Sequence, residues 1–124
     1  MVVDHNGSER HKRYKRKVAN LLRHFDYTVF GDMDDEVMVC RGRTSPPYYV
    51  DLCACNSQGI VVVEIDGYKG HKTRRAILKD KSRLEYIRQR LNARVFRFAF
   101  WQLKNMDDDT IAEELGLAKL AKLN

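Results

Sequence analysis

The sequence predicts a mixed α/β domain: a β-sheet flanked by helices, with elements in the order α-β-β-β-β-α-β-α. Segments with apolar residues at helical spacing open the chain, interrupt it after residue 72 and close it. Between them lie short runs rich in Val, Ile, Tyr and Phe, bounded by Gly, Pro and Asn. Interleaving of this kind gives helices packed on a mixed sheet rather than a bundle or a sandwich.

Each element has a local reason. Ser8 can cap a helix running to about Phe25, where Tyr14, Val18, Leu21, Leu22 and Phe25 fall on one apolar stripe. YTVF and EVMVCR read as strands joined by the turn GDMDD. Pro46-Pro47 cannot sit in a ladder and sets off the next strand. YYVDLCAC and IVVVEI follow as a hairpin joined by NSQG. A helix from about Lys72 to Leu91 would bury Ile77, Leu84, Ile87 and Leu91, its other faces being basic. RVFRFAFW is a strand with Phe96, Phe98 and Phe100 on one face and Trp101 in the core. A last helix spans about Asp107 to Leu123. Asp107, Asp108 and Asp109 stand at its start, where the helix dipole favours anions. With no repeat or linker, residues 1–124 form one domain, with a core over about 8–103.

Composition narrows the function. The chain has 124 residues, 44% apolar and 32% charged, and carries a net charge of +6. No apolar run reaches the roughly 18 residues of a membrane helix. MVVDHNGSER has no apolar signal region, and the odd set Cys40, Cys53 and Cys55 suits a reducing compartment, so a cytoplasmic location is expected. The basic residues cluster. Lys12, Arg13, Lys15, Arg16 and Lys17 crowd one segment; Lys69, Lys72, Arg74, Arg75, Lys79, Lys81, Arg83, Arg88 and Arg90 crowd another. The acids gather elsewhere, in GDMDDE and MDDD, and separated charge of this kind is the footprint of a polyanion partner.

The candidate chemistry lies in YYVDLCAC–NSQG–IVVVEID. With Ser57-Gln58 as a two-residue turn, Asn56 faces Gly59, Cys53 faces Val62 and Asp51 faces Glu64. Opposed side chains have Cβ atoms about 4.5–5.5 Å apart, so two carboxylates placed there repel unless a cation joins them. Strand alternation puts Asp66 on the Glu64 face. The bland reading pairs Glu64 and Asp66 with lysines at a strand end. Mg²⁺, which accepts one or two carboxylates plus phosphate oxygens and water, is the sharper one. His71 lies beside the carboxylates and can act as general acid or base near neutrality. His5, His11 and His24 read as surface residues, Cys53 and Cys55 as buried packing, and Tyr48 and Tyr49 either stack on a base or pack the core.

YYVDL, a short turn and VVVEIDG resemble the D…(D/E)xK arrangement of the PD-(D/E)XK nuclease superfamily. EIDGYKGH, then DKSR, then RLNARVFRF look like the ExDG–His–Asp-x-x-Arg–RVxRF succession of small Vsr-like nucleases. Phage Holliday-junction resolvases and homing-endonuclease nuclease domains are similar in plan. The resemblance covers roughly residues 8–103. It implies a restriction-endonuclease-like core and a metal-dependent DNA endonuclease of repair or recombination, nucleoid-associated or in a host cytoplasm if phage-encoded. Asp51 and Glu64 would hold Mg²⁺, with Mn²⁺ able to substitute, and Asp66 would complete the metal shell or orient His71. Asp66 stands where the superfamily has its lysine, so His71, Lys69 or Lys72 would take that work; Val50 replaces the proline of the name. Asp80 would either pair with Arg83 or point into the site. A glutamate on the first helix often assists the metal in this fold, and Glu9 is the acid present there. Lys72, Arg74, Arg75, Lys79 and Arg83, with Lys12 and Arg16, would grip phosphates. A two-fold dimer would suit cutting both strands. The rival expectations are a non-catalytic nucleic-acid-binding module on the same fold and a nuclease acting on RNA.

Overall fold

A computed structural model describes residues 9–33, 35–67 and 73–117. The chain runs α1 (Glu9–His24), β1 (Thr28–Phe30), β2 (Val37–Val39), β3 (Tyr48–Val50), β4 (Leu52–Asn56), β5 (Gly59–Asp66), α2 (Arg74–Leu91), β6 (Ala93–Ala99), α3 (Phe100–Lys104) and α4 (Asp108–Glu114). A four-stranded sheet has the order β1-β4-β5-β6, and β2 and β3 form a separate pair. β1–β4 and β4–β5 are antiparallel, while β5–β6 are parallel and joined through α2. The architecture is therefore a mixed sheet flanked by helices.

The sheet separates two apolar layers. Because side chains alternate along a strand, Val61, Val63 and Ile65 of β5 enter one layer with Tyr14, Val18 and Leu22 of α1 and with Phe98, Phe100, Leu103 and Ile111. Val62 enters the other with Val39, Val50, Ile87 and Ala93. Burying an aliphatic side chain of this size contributes about 1.5–3 kcal/mol, so the fully buried strand residues Leu52, Val61, Val62 and Val63 anchor the hairpin in register. That register pairs Asn56 with Gly59 and Cys53 with Val62, as the turn arithmetic requires.

Several expectations are corrected. YYVDLCAC is not one strand: it breaks at Asp51, because Val50 is drawn into the smaller layer and Leu52 into the larger. β1 and β2 do not pair with each other; β1 pairs with β4 and β2 with β3. The aromatic strand ends at Ala99, and the chain turns into α3 at Phe100. Phe100 stays buried, but Trp101 is turned outward and 53% exposed, not in the core. Only the later turns of α2 lie against the sheet, so Ile87 is buried while Ile77 is exposed. The C-terminal helix runs over Asp108–Glu114, with Asp107 capping it through the Thr110 N–H at 2.8 Å; residues 118–123 of the expected helix lie outside the described residues, as does Ser8. Among the described residues no helix is long and apolar enough to cross a membrane.

Candidate active site

Asp51 occupies the single residue between β3 and β4, where the chain passes from one sheet to the other. It is 3% exposed and is held from three directions. The Ile65 N–H donates to its Oδ2 at 2.7 Å. His11 Nε2 lies 3.3 Å from Oδ1. Its main chain is pressed by Gly31, which has φ +107°, and a Cβ there would sit 2.1 Å from the Asp51 carbonyl oxygen, so only glycine fits. The segment carrying Gly31 is fixed in turn by Asp32, which accepts both Nη atoms of Arg23 at 2.6 and 3.0 Å. That guanidinium holds the Asp32 carboxyl below its usual range, with a smaller contribution from buried Lys15.

Glu64, one residue short of Ile65 on β5, comes close enough to Asp51 for each carboxyl group to act on the ionisation of the other. Burial, then the neighbouring Asp51 charge, pushes Glu64 up to about 7. Burial also works against ionised Asp51, but contacts with His11 and Glu64 and the Ile65 N–H outweigh it and keep Asp51 below the ordinary carboxylate value. Among the described residues Arg83 of α2 supplies the positive charge at the pair, its Nη2 lying 2.6 Å from Glu64 Oε1. The approach is off the N–H direction: neither Glu64 Oε1 nor Asp51 Oδ1 accepts an aligned hydrogen bond, although both are buried.

Asp80 pairs with Arg83 at 3.3 Å, one helical turn away, the first of its two expected roles, and it also pairs with Arg97 of β6. Those guanidiniums hold Asp80 below its usual value against the opposing effect of burial. Arg83 Nη1 also donates to the Tyr49 carbonyl at 2.9 Å, tying α2 to β3. Arg83 is therefore an internal partner of the site, not a solvent-facing phosphate grip.

Asp66 is half-buried on the Glu64 side of β5, as alternation demands, where its charge acts on Arg97. It does not complete a three-carboxylate cage: among the described residues no three His, Cys, Asp or Glu side chains form a metal-holding group. Asp51 and Glu64 are the two buried carboxylates that meet there. Glu9 is corrected too, since its side chain points to solvent beside Lys12. The residue that α1 brings to the site is His11, expected on the surface but wholly buried. Its Nε2–H donates to the Ile65 carbonyl at 3.1 Å, which fixes the ring beside Asp51. His71, Lys69 and Lys72 lie outside the described residues. Arg74, Arg75, Lys79 and Arg16 are exposed, Lys12 half-buried. Tyr48 packs against Tyr86, and Tyr49 is exposed.

Sequence reasoning missed His11 and Arg97. His11 lies three residues before Tyr14 and seven before Val18, and so belongs to the buried stripe of α1. Arg97 is registered against Glu64 in the parallel β5–β6 pair. No protein-family model matches the sequence, and no curated protein shows significant similarity to it.

Proposed function

We propose that this chain is a divalent-metal-dependent endonuclease that hydrolyses phosphodiester bonds of DNA, on a restriction-endonuclease-like core of the PD-(D/E)XK kind and its small Vsr-like branch. One observation carries the reading: neighbouring strands bring the buried carboxyl groups of Asp51 and Glu64 together with one oxygen of each accepting no aligned hydrogen bond. Such a pair costs folding free energy, and its chemistry fits a hard dication that accepts one or two carboxylates and leaves room for water and phosphate oxygens. Asp51 and Glu64 would hold Mg²⁺ or Mn²⁺, which when bound polarises a phosphoryl group and acidifies water.

The chain's own residues support that chemistry. His11 and the Ile65 N–H fix the Asp51 carboxylate. Arg83 and Arg97, both held by Asp80, place positive charge beside the pair, where it would attract a phosphate. His71, with Lys69 or Lys72, is assigned the proton transfer from its place in the sequence. Exposed Arg74, Arg75 and Lys79 on α2, with Lys12 and Arg16 on α1, would grip flanking phosphates.

One observation favours a second reading. Arg83 already sits 2.6 Å from Glu64, supplying cationic charge that a metal would otherwise provide. That suits a nucleic-acid-binding module without catalysis. Plasmid, branched DNA and RNA are incubated with wild type, Asp51→Asn and Glu64→Gln, in Mg²⁺, Mn²⁺ or chelator. The nuclease reading expects metal-dependent DNA cleavage by wild type alone, with binding retained by both variants. Binding without cleavage of any substrate would establish the module instead, and cleavage of RNA alone would change the substrate.

A further inference from the structure

We infer that a groove beside the carboxylate pair, floored by buried Phe100 and edged by exposed Trp101, seats one unpaired nucleobase of the bound DNA strand by stacking on the Trp101 indole; this rests on the nuclease reading and specifies its substrate. The groove measures about 460 Å³ and is lined by Arg10, Gly67, Phe100, Trp101, Lys104 and Asn105. It adjoins the site through three connections. Gly67 directly follows Asp66, Arg10 directly precedes His11, and the Phe100 ring faces the His11 imidazole with centroids 6.0 Å apart.

The lining has the chemistry of a single nucleotide. The Trp101 indole is 53% exposed although the chain had a buried apolar layer to offer it. Asn105 ties its side-chain amide to the Trp101 carbonyl at 3.0 Å, so the indole stands on a closed helical turn. Arg10 lies over the Phe100 ring at 5.3 Å, and Lys104 adds a second cation. Aromatic faces accept bases without regard to sequence, and adjacent cations accept their phosphates. A peptide would require no such pair of cations. Gly67 keeps the wall thin: a Cβ there would lie 2.4 Å from Phe100 Cε2, and no other residue fits without moving that ring. The volume falls within the roughly 300–1,000 Å³ of small-ligand sites, which suits one nucleotide and not a duplex. Bases inside a duplex have both faces covered by their neighbours. A free indole therefore stacks at least cost on a base that has left the helix, at a bulge, branch or single-stranded end, because inserting into a paired duplex requires unstacking a base step.

Trp101 is the single tryptophan of the chain, so intrinsic emission reports this groove alone. The uncleaving Asp51→Asn protein is titrated with paired duplex, the same duplex carrying an unpaired nucleotide, and single strand, while anisotropy of labelled DNA follows binding. Saturable quenching by the two unpaired substrates, exceeding that by paired duplex, is expected. Adding Trp101→Ala should weaken their binding about 5- to 150-fold and leave paired duplex unchanged, with Trp101→Phe keeping most of the affinity. Bound DNA with unaltered emission, or equal affinities after Trp101→Ala, overturns the groove. Quenching by DNA that wild type never cleaves in Mg²⁺ overturns the nuclease reading and leaves the groove standing. Absence of binding to any DNA removes both.

Discussion

Glu64→Gln should make the protein more stable at alkaline pH while changing little in mild acid. The folded environment raises Glu64 from about 4.5 to about 7, through burial first and Asp51 second. Folding therefore takes up a proton between those values. Its contribution is fully present below the unfolded value and is lost as pH rises through 7. A difference of about 2.5 units corresponds to about 3 kcal/mol, which wild type gives up between roughly pH 4.5 and pH 8. Glutamine cannot ionise, and its amide can donate to Asp51 at any pH. Denaturant unfolding of both proteins across that range, in chelator, should show curves converging in acid and separating by about 3 kcal/mol near pH 8. Mg²⁺ should then close the gap from the wild-type side, because a bound cation replaces the proton and stabilises the folded state by mass action. Parallel wild-type and variant curves throughout would refute the reasoning, since Glu64 would then be no more difficult to ionise folded than unfolded.

Gly31→Ala places a Cβ against the Asp51 carbonyl at a left-handed φ; it should cost at least about 2 kcal/mol in chemical denaturation and abolish metal-dependent cleavage, and wild-type stability would count against the close approach. Arg83→Met removes the guanidinium from Glu64 and Asp80, so Glu64 should titrate still higher by NMR and stability near pH 8 should fall by about 2 kcal/mol; an unmoved Glu64 titration would contradict the ion pair. Replacing Arg74, Arg75 and Lys79 together by alanine should weaken DNA binding and reduce the slope of log affinity on log salt by up to about 3. Cleavage at saturating DNA should survive, because none of the three reaches the carboxylates.

The hairpin was legible because apolar burial and a two-residue turn together leave one register, and that register alone places Asp51 opposite Glu64. Helical periodicity likewise revealed the buried stripe of α1 from Tyr14 to Leu22. What failed depended on contacts distant in sequence. His11 is polar, so it reads as surface until Asp51 and the Ile65 carbonyl, forty and 54 residues further along the chain, arrive beside it. Alternating Phe96, Phe98 and Phe100 reads as one continuous strand. The backbone bends at Ala99, where Gln102 Oε1 accepts its N–H at 2.7 Å, and that reversal turns Trp101 outward. Arg83 and Arg97 carry no local sign distinguishing a guanidinium paired to the site's acids from one left to water; α2 and β6 must first be packed against β5.

The passage at residue 51 limits how this protein can change. Val50 and Leu52 commit to opposite hydrophobic layers with one residue between them. Dropping or adding a residue there would invert one arm of the chain relative to the other, sending valine where leucine belongs and rotating the acid away from its partner. Shortening or lengthening is thus intolerable at this point, whereas an added residue is cheap at the exposed Ser57-Gln58 turn, which can lengthen without shifting the ladder. A single-residue insertion scan across residues 48–60 would trace that boundary as an abrupt loss of expression.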